Sequence, residues 1–166
     1  MAATLEDLLA IEEIKQLKAR YCRFVDTKQW DRLAGLFAPD ARLDGFGSVG
    51  DGGTPTAFVA GIRVRLADVI SIHHCHNPEI TLTGPGTARG IWPMIDYLEF
   101  AEGSGPAEAP GSRGFMGYGH YEEDYRRTGA GWQFAYMRLT RMRIDPLPAS
   151  HPRPLAGRHK PTLDWL

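Results

Sequence analysis

The sequence predicts an α+β domain, and three observations carry that expectation. Helical spacing of apolar residues is confined to roughly the first 70 positions, strand-like segments fill most of the remainder, and the two kinds do not alternate as they would around a parallel doubly wound sheet. The 166 residues suit a single domain large enough to enclose a cavity within its core. A hydrophobic fraction of 43% with 23% charged residues excludes disorder as the main state.

Thr4, with Asp7 three residues later, marks the start of the first helix as a capping pair. Leu8, Ile11, Ile14, Leu17, Tyr21 and Phe24 then recur at spacings of three or four and form one apolar face. A second helix is expected over residues 28–37, with Thr27 as N-cap, Trp30, Leu33, Leu36 and Phe37 inward, and Pro39 as its stop. Residues 41–43 read as a short strand. The stretch 45–53, with five glycines, reads as a flexible loop. A strand at 58–60 and a third helix over 62–69, after Gly61, complete the first half.

Strands are expected over 70–76, 79–83, 88–102, 115–127 and 132–145. Thr128-Gly129-Ala130-Gly131 supplies a hairpin turn between the last two. Residues 101–114 form a Gly/Pro-rich connection, long for a compact domain and therefore a candidate lid. Prolines crowd the chain after Asp145, so the expected division is a domain over 1–145 and an extended tail over 146–166.

Lys and Arg number 19 against 20 Asp and Glu, a net charge of −1 that provides no overall positive field for nucleic acid. The two cysteines, Cys22 and Cys75, can form neither a disulfide framework nor a four-cysteine zinc site. No apolar run approaches the roughly 18 residues of a membrane span. The N-terminus shows no basic start followed by an apolar stretch. The expectation is a cytoplasmic protein without nucleic-acid or membrane partners.

Three motifs look chemical but read better as structure. Gly45-Phe46-Gly47-Ser48-Val49-Gly50 matches a dinucleotide fingerprint, yet Asp51-Gly52-Gly53-Thr54-Pro55 follows where a phosphate-binding helix should begin. In His73-His74-Cys75-His76, alternation along a strand sends His73 to one face and His74 and His76 to the other. His74 and His76, with Glu79 nearby, could chelate a metal, but the whole cluster cannot converge on one ion without a bulge, and no metal is expected. Arg138, Arg141 and Arg143 read as a solvated outer face or a contact between subunits.

Two carboxylates sit where local physics opposes them. Asp26 falls in the last turn of the first helix, against the negative end of the macrodipole, beside Phe24 and Val25. Asp96 shares one strand face with Trp92, Met94, Leu98 and Phe100, and there it needs a partner, histidine being the obvious one. Tyr21 lies on the apolar face of the first helix, where tyrosine is ordinarily core unless its hydroxyl reaches a cavity. Together these residues describe an apolar pocket with a few polar groups, the usual form of a small-molecule site.

The run from Ile14 to Tyr21, followed by Asp26, Trp30 and Leu33, resembles the opening of the SnoaL-like branch of the nuclear transport factor 2 (NTF2-like) superfamily. The segment from Ile72 through His73 to Ile80, and that from Gly90 to Asp96, are similar to the bile-acid dehydratase subgroup. Its neighbours include scytalone dehydratase and hexachlorocyclohexane dehydrochlorinase. The resemblance covers roughly residues 5–145 and implies a cone-shaped α+β barrel, helices packed on a strongly curved mixed sheet around a cavity. It further implies a His73–Asp26 general-base dyad, with Tyr21 and Asp96 positioning the substrate, protonating a departing hydroxyl or polarising a carbonyl. The expected activity is a cofactor-independent, dehydratase-like lyase acting on a hydrophobic, cyclic small molecule. The alternatives are an isomerase using the same proton abstraction and a non-catalytic binding module. Self-association is expected, since both faces of the strand over 88–102 are apolar, and the resemblance to the dehydratase branch implies a trimer rather than a dimer.

Overall fold

The computed structural model describes residues 4–48, 50–154 and 162. Helix α1 (Leu5–Asp26) starts with a full capping box, the Thr4 hydroxyl accepting from the Asp7 amide and the Asp7 carboxylate from the Thr4 amide. Its buried stripe includes Ile14, Leu17, Tyr21, Phe24 and Val25, and also Lys18, which falls on the same face. Thr27 closes this helix rather than opening the next, since its amide and hydroxyl both bond the Arg23 carbonyl. Lys28 then turns the chain at φ 62°.

The second helix is shorter than the sequence suggests. α2 spans Trp30–Ala34, and the chain enters β1 (Phe37–Asp44) with Pro39 inside the strand. Proline is tolerated there because β1 is an edge strand, parallel to β6 and irregular in register between Phe37 and Arg42. The 58–60 strand is likewise replaced by helix, because α3 runs from Pro55 to Arg65. Thr54 caps its N-terminus and Pro55 occupies the first turn, a start signal that outweighs the short apolar run. Phe58, Val59 and Ile62 then form a helical stripe facing the core.

The second half follows the expected strand order: β2 (Ile70–Cys75), β3 (Glu79–Gly84), β4 (Thr87–Glu99), β5 (Gly114–Thr128) and β6 (Gly131–Leu147). They form one mixed sheet in the order β1-β6-β5-β4-β2, with β3 also pairing β4. The sheet is curved but does not close into a barrel; α1 packs against β2, and α3 against β1. Two irregularities, one on each side of the segment from Tyr136 to Arg141, bend β6 against β5. The outer face leaves Ile72 and Ile91 exposed. Among the described residues, no helix is long and apolar enough to cross a membrane.

The glycine-rich stretch after β1 is tied down. Asp44 accepts from the Gly52 amide, Asp51 from the Gly45 amide, and Leu43 and Gly53 form a β-bridge. Gly45, at φ 74°, approaches β6 so closely that a Cβ would lie 2.1 Å from the Leu139 carbonyl oxygen. Gly50 opens no helix, as α3 begins only at Pro55.

Candidate active site

Asp26 ends α1 where that helix packs against β2, and both of its oxygens turn to one residue. Oδ2 accepts the His73 backbone N–H at 2.8 Å, and Oδ1 lies 2.6 Å from His73 Nδ1. A carboxylate accepting this bond places the imidazole proton on Nδ1 and leaves Nε2 as the nitrogen available to a substrate. The contact also answers the unfavourable helix-end position of Asp26. The His73 side chain is 8% exposed and that of Asp26 22%, a sheltered but not sealed pair.

Strand register places the next group. His73 pairs with Asp96 across β2 and β4, so both point to the inner face, while His74 turns away and its ring meets that of His76 at 5.9 Å. Among the described residues, no three His, Cys, Asp or Glu side chains are grouped to hold a metal ion. Asp96 is on the buried side of β4, as expected, but its partner is an arginine. Arg141 grips it in a fork, with Nη1–Oδ1 at 2.5 Å and Nη2–Oδ2 at 2.6 Å.

The outward placement expected for Arg141 is therefore wrong: alternation from the outward Arg138 turns it inward, and a bulge separates it from Arg143. Gly119 pairs with Arg141 and Tyr118 with Arg143, leaving Met142 as an extra residue exposed on β6. Arg141 thus faces inward while Arg143 faces outward, where it bonds Asp145; Arg138 bonds Glu122. The legible signal was on the neighbouring strand. Gly117 sits opposite Asp96, and a Cβ there would fall 2.0 Å from Arg141 Nη1 and 2.3 Å from Asp96 Oδ1. The strand is bare at that point because the fork occupies the space.

Tyr21, His73, Asp96 and Arg141 all line one cavity of about 250 Å³. Its apolar wall includes Phe46, Phe58, Leu98, Phe115, Tyr121 and Leu139. Tyr21 is buried edge-on against Tyr121 and Phe134, and burial pushes its pKa well up, so its phenol remains neutral. Behind it lies a network that sequence reasoning missed, although the helical period pointed inward at Lys18. Lys18 bonds Glu123, also buried, and its ammonium sits 3.3 Å from the Tyr121 ring centroid. The tyrosine of β5 carrying the next hydroxyl, Tyr125, donates to the same Glu123 and accepts from the Trp92 indole.

The segment over 100–113 reaches the cavity through Glu108, whose carboxylate is held by Arg65 of α3 at 2.6–2.7 Å. Both side chains remain partly exposed, which puts this clasp at the rim.

The SnoaL-like domain family matches residues 6–138. The "Probable cyclase FGR4" of Gibberella zeae is 27% identical over 139 residues, covering 78% of this chain and 89% of that protein. Two solved structures share the fold. A type 2 hexachlorocyclohexane dehydrochlorinase, LinA, superposes with TM-score 0.76 at 20% identity, over 93% of this chain and 99% of its own. A scytalone dehydratase-like protein of Novosphingobium aromaticivorans gives TM-score 0.71 at 16% identity, over 89% and 97%. With the family match spanning most of the sequence, the chain belongs to the SnoaL-like domain family of the NTF2-like superfamily.

Proposed function

We propose that this protein is a lyase that removes water from a hydrophobic, cyclic small molecule, using His73 as base and Asp26 to orient it. The observation that carries the reading is the two-point grip of Asp26 on the ring and backbone of His73, on the wall of an apolar cavity. His73 Nε2 takes a proton from carbon, Asp26 stabilises the resulting imidazolium, and the C–O bond on the adjacent carbon breaks. The imidazolium returns the proton to the departing hydroxide, so water leaves and the base is restored. Arg141, held in place by Asp96, faces the oxygen on which negative charge develops. With both of its oxygens engaged by Arg141, Asp96 serves this reading as a positioning group rather than a proton donor.

The cyclase named among the relatives supports a second outcome from the same first step. Proton abstraction beside a carbonyl gives an enolate, which can close a ring, or shift a double bond, instead of expelling hydroxide.

The test is hydrogen exchange into cyclic hydroxy-ketones in D₂O, followed by NMR, with ultraviolet detection of the conjugated product. Exchange at the carbon beside the carbonyl, with loss of the hydroxyl, is the expected result. His73→Ala and Asp26→Asn should each slow it by about 10²–10⁴-fold, the contribution of a positioned general base. Near-normal turnover by His73→Ala would refute the dyad. Binding of these ketones with no exchange at all would identify a carrier.

A further inference from the structure

The dyad connects the C-terminal turn of α1 to the middle of β2, and the same two elements carry the chain's two cysteines. Cys22 lies one helical turn before Asp26. Cys75 lies two residues beyond His73, on the same face of the strand. Their sulfurs are 3.6 Å apart, with no disulfide between them. Both are partly exposed and line a second crevice, of about 350 Å³, which His73 borders as it does the substrate cavity; Lys15 and Lys18 also line it.

We propose that Cys22 and Cys75 are an oxidisable pair, and that its closure to a disulfide staples α1 to β2 and alters the His73–Asp26 contact. The effect on activity rests on the dyad reading above; the thiol chemistry does not. The oxidant class is a hydroperoxide. A Cys75 thiolate attacks the peroxide, forming an S–O bond as the O–O bond breaks and hydroxide or alkoxide leaves. The Cys22 thiolate then attacks that sulfur, forming the S–S bond as the S–O bond breaks, and the oxygen leaves as water. Two thiols and one hydroperoxide thus become a disulfide, water and water or alcohol. An external dithiol reverses the change.

The division of labour follows from the pair's asymmetry. The hydrogen bond from Cys22 lowers the Cys75 pKa, with nearby Lys18 acting in the same direction against burial. The shared hydrogen bond and burial raise Cys22. Cys75 is the sulfur disposed to react first and Cys22 the one to resolve it. Bond formation draws the sulfurs from 3.6 Å to about 2.05 Å, a pull of roughly 1.5 Å applied one turn from Asp26 and two residues from His73. A displacement of that order is large for a catalytic contact, where about 1 Å can cost about 10²-fold in rate.

The test treats the full-length protein with hydrogen peroxide and needs no substrate. Mass spectrometry should show loss of two hydrogens and a linked Cys22–Cys75 peptide, both reversed by dithiothreitol. The oxidised protein should unfold at a higher temperature, and the NMR signals of its His73 ring should shift, both changes being reversed by dithiothreitol. Cys22→Ser should leave Cys75 to form sulfinic acid, and Cys75→Ser should resist low peroxide. Untouched thiols, crosslinks only between molecules, or independent over-oxidation of each cysteine would overturn the pair. A linked peptide with unchanged His73 ring signals would overturn its coupling to the dyad. Inactivity of a protein whose His73 ring signals shift as described would count against the enzymatic reading alone.

Discussion

Gly117→Ala tests the most constrained contact in the cavity wall. The new methyl would start 2.0 Å from Arg141 Nη1 and 2.3 Å from Asp96 Oδ1, against an ordinary separation of about 3.5 Å. One partner must retreat by more than about 1 Å, and a two-bond fork at 2.5 and 2.6 Å does not survive that. The Arg141 side chain, 24% exposed, can swing towards water; Asp96, at 2%, cannot follow. Breaking a buried pair from one side costs about 3–5 kcal/mol. Removing a glycine from a strand returns about 0.5–1 kcal/mol, so the net loss should be about 2–4 kcal/mol. In urea, with a slope of about 2 kcal/mol/M, the unfolding midpoint followed by circular dichroism should fall by about 1–2 M. The control is the same substitution in an Asp96→Leu/Arg141→Met background, where the fork is gone and only the gain of about 0.5–1 kcal/mol from removing the glycine should remain. Equal losses in both backgrounds, or a single variant as stable as the parent, would show that the glycine does not serve the ion pair.

Other perturbations test other parts of the structure. Lys18→Met leaves the Glu123 carboxyl buried without its cation and should cost about 3–5 kcal/mol in thermal unfolding, much of it recovered by adding Glu123→Gln. Burial lowers the Lys28 pKa to about 8, with Asp26 opposing, so the unfolded chain holds more protons from about pH 8 to 10.4. The stability this residue contributes should rise with pH across that window and be lost as pH falls through 8. Lys28→Met should flatten the rise by less than about 2 kcal/mol after solvent screening, measured as the difference between denaturation curves at pH 7 and pH 10. The exposed Ile72 and Ile91 on the outer sheet face should be covered by self-association. Sedimentation at micromolar concentration should give a trimer that Ile91→Glu weakens; a monomer would refute this.

What the sequence revealed, it revealed through regular periods. Strand alternation alone separates His73 from His74 and turns Asp96 inward, and the sheet bears out both placements. The opening helix was legible from its capping pair and apolar stripe, and the strand order from turn signals. The failures lie where regularity breaks. The bulge at Met142 puts Arg141 and Arg143, two residues apart, on opposite faces, and it depends on pairing with Tyr118 and Gly119 in the folded sheet. The second helix was read on to Phe37, because Leu33, Leu36 and Phe37 continue a helical spacing, and the strand only over 41–43; the longer edge strand, tolerant of Pro39, depends on β6, nearly 100 residues away. Asp26 could be marked as ill-placed for a helix end, but its two-point grip on His73 depends on how α1 packs against β2.

The Arg65–Glu108 clasp bears on how fast a ligand reaches the interior. It joins α3 to the 100–113 segment by two charges that water already touches, so dissolved ions compete with it far more than with the sheltered Asp96–Arg141 fork. The doorway and the chamber therefore answer to different variables. Raising ionic strength should loosen the rim clasp while leaving the fork nearly unchanged. A ligand that enters past this clasp should then exchange more quickly as salt is added, with its selectivity little changed, which association and dissociation rates across a salt series would measure.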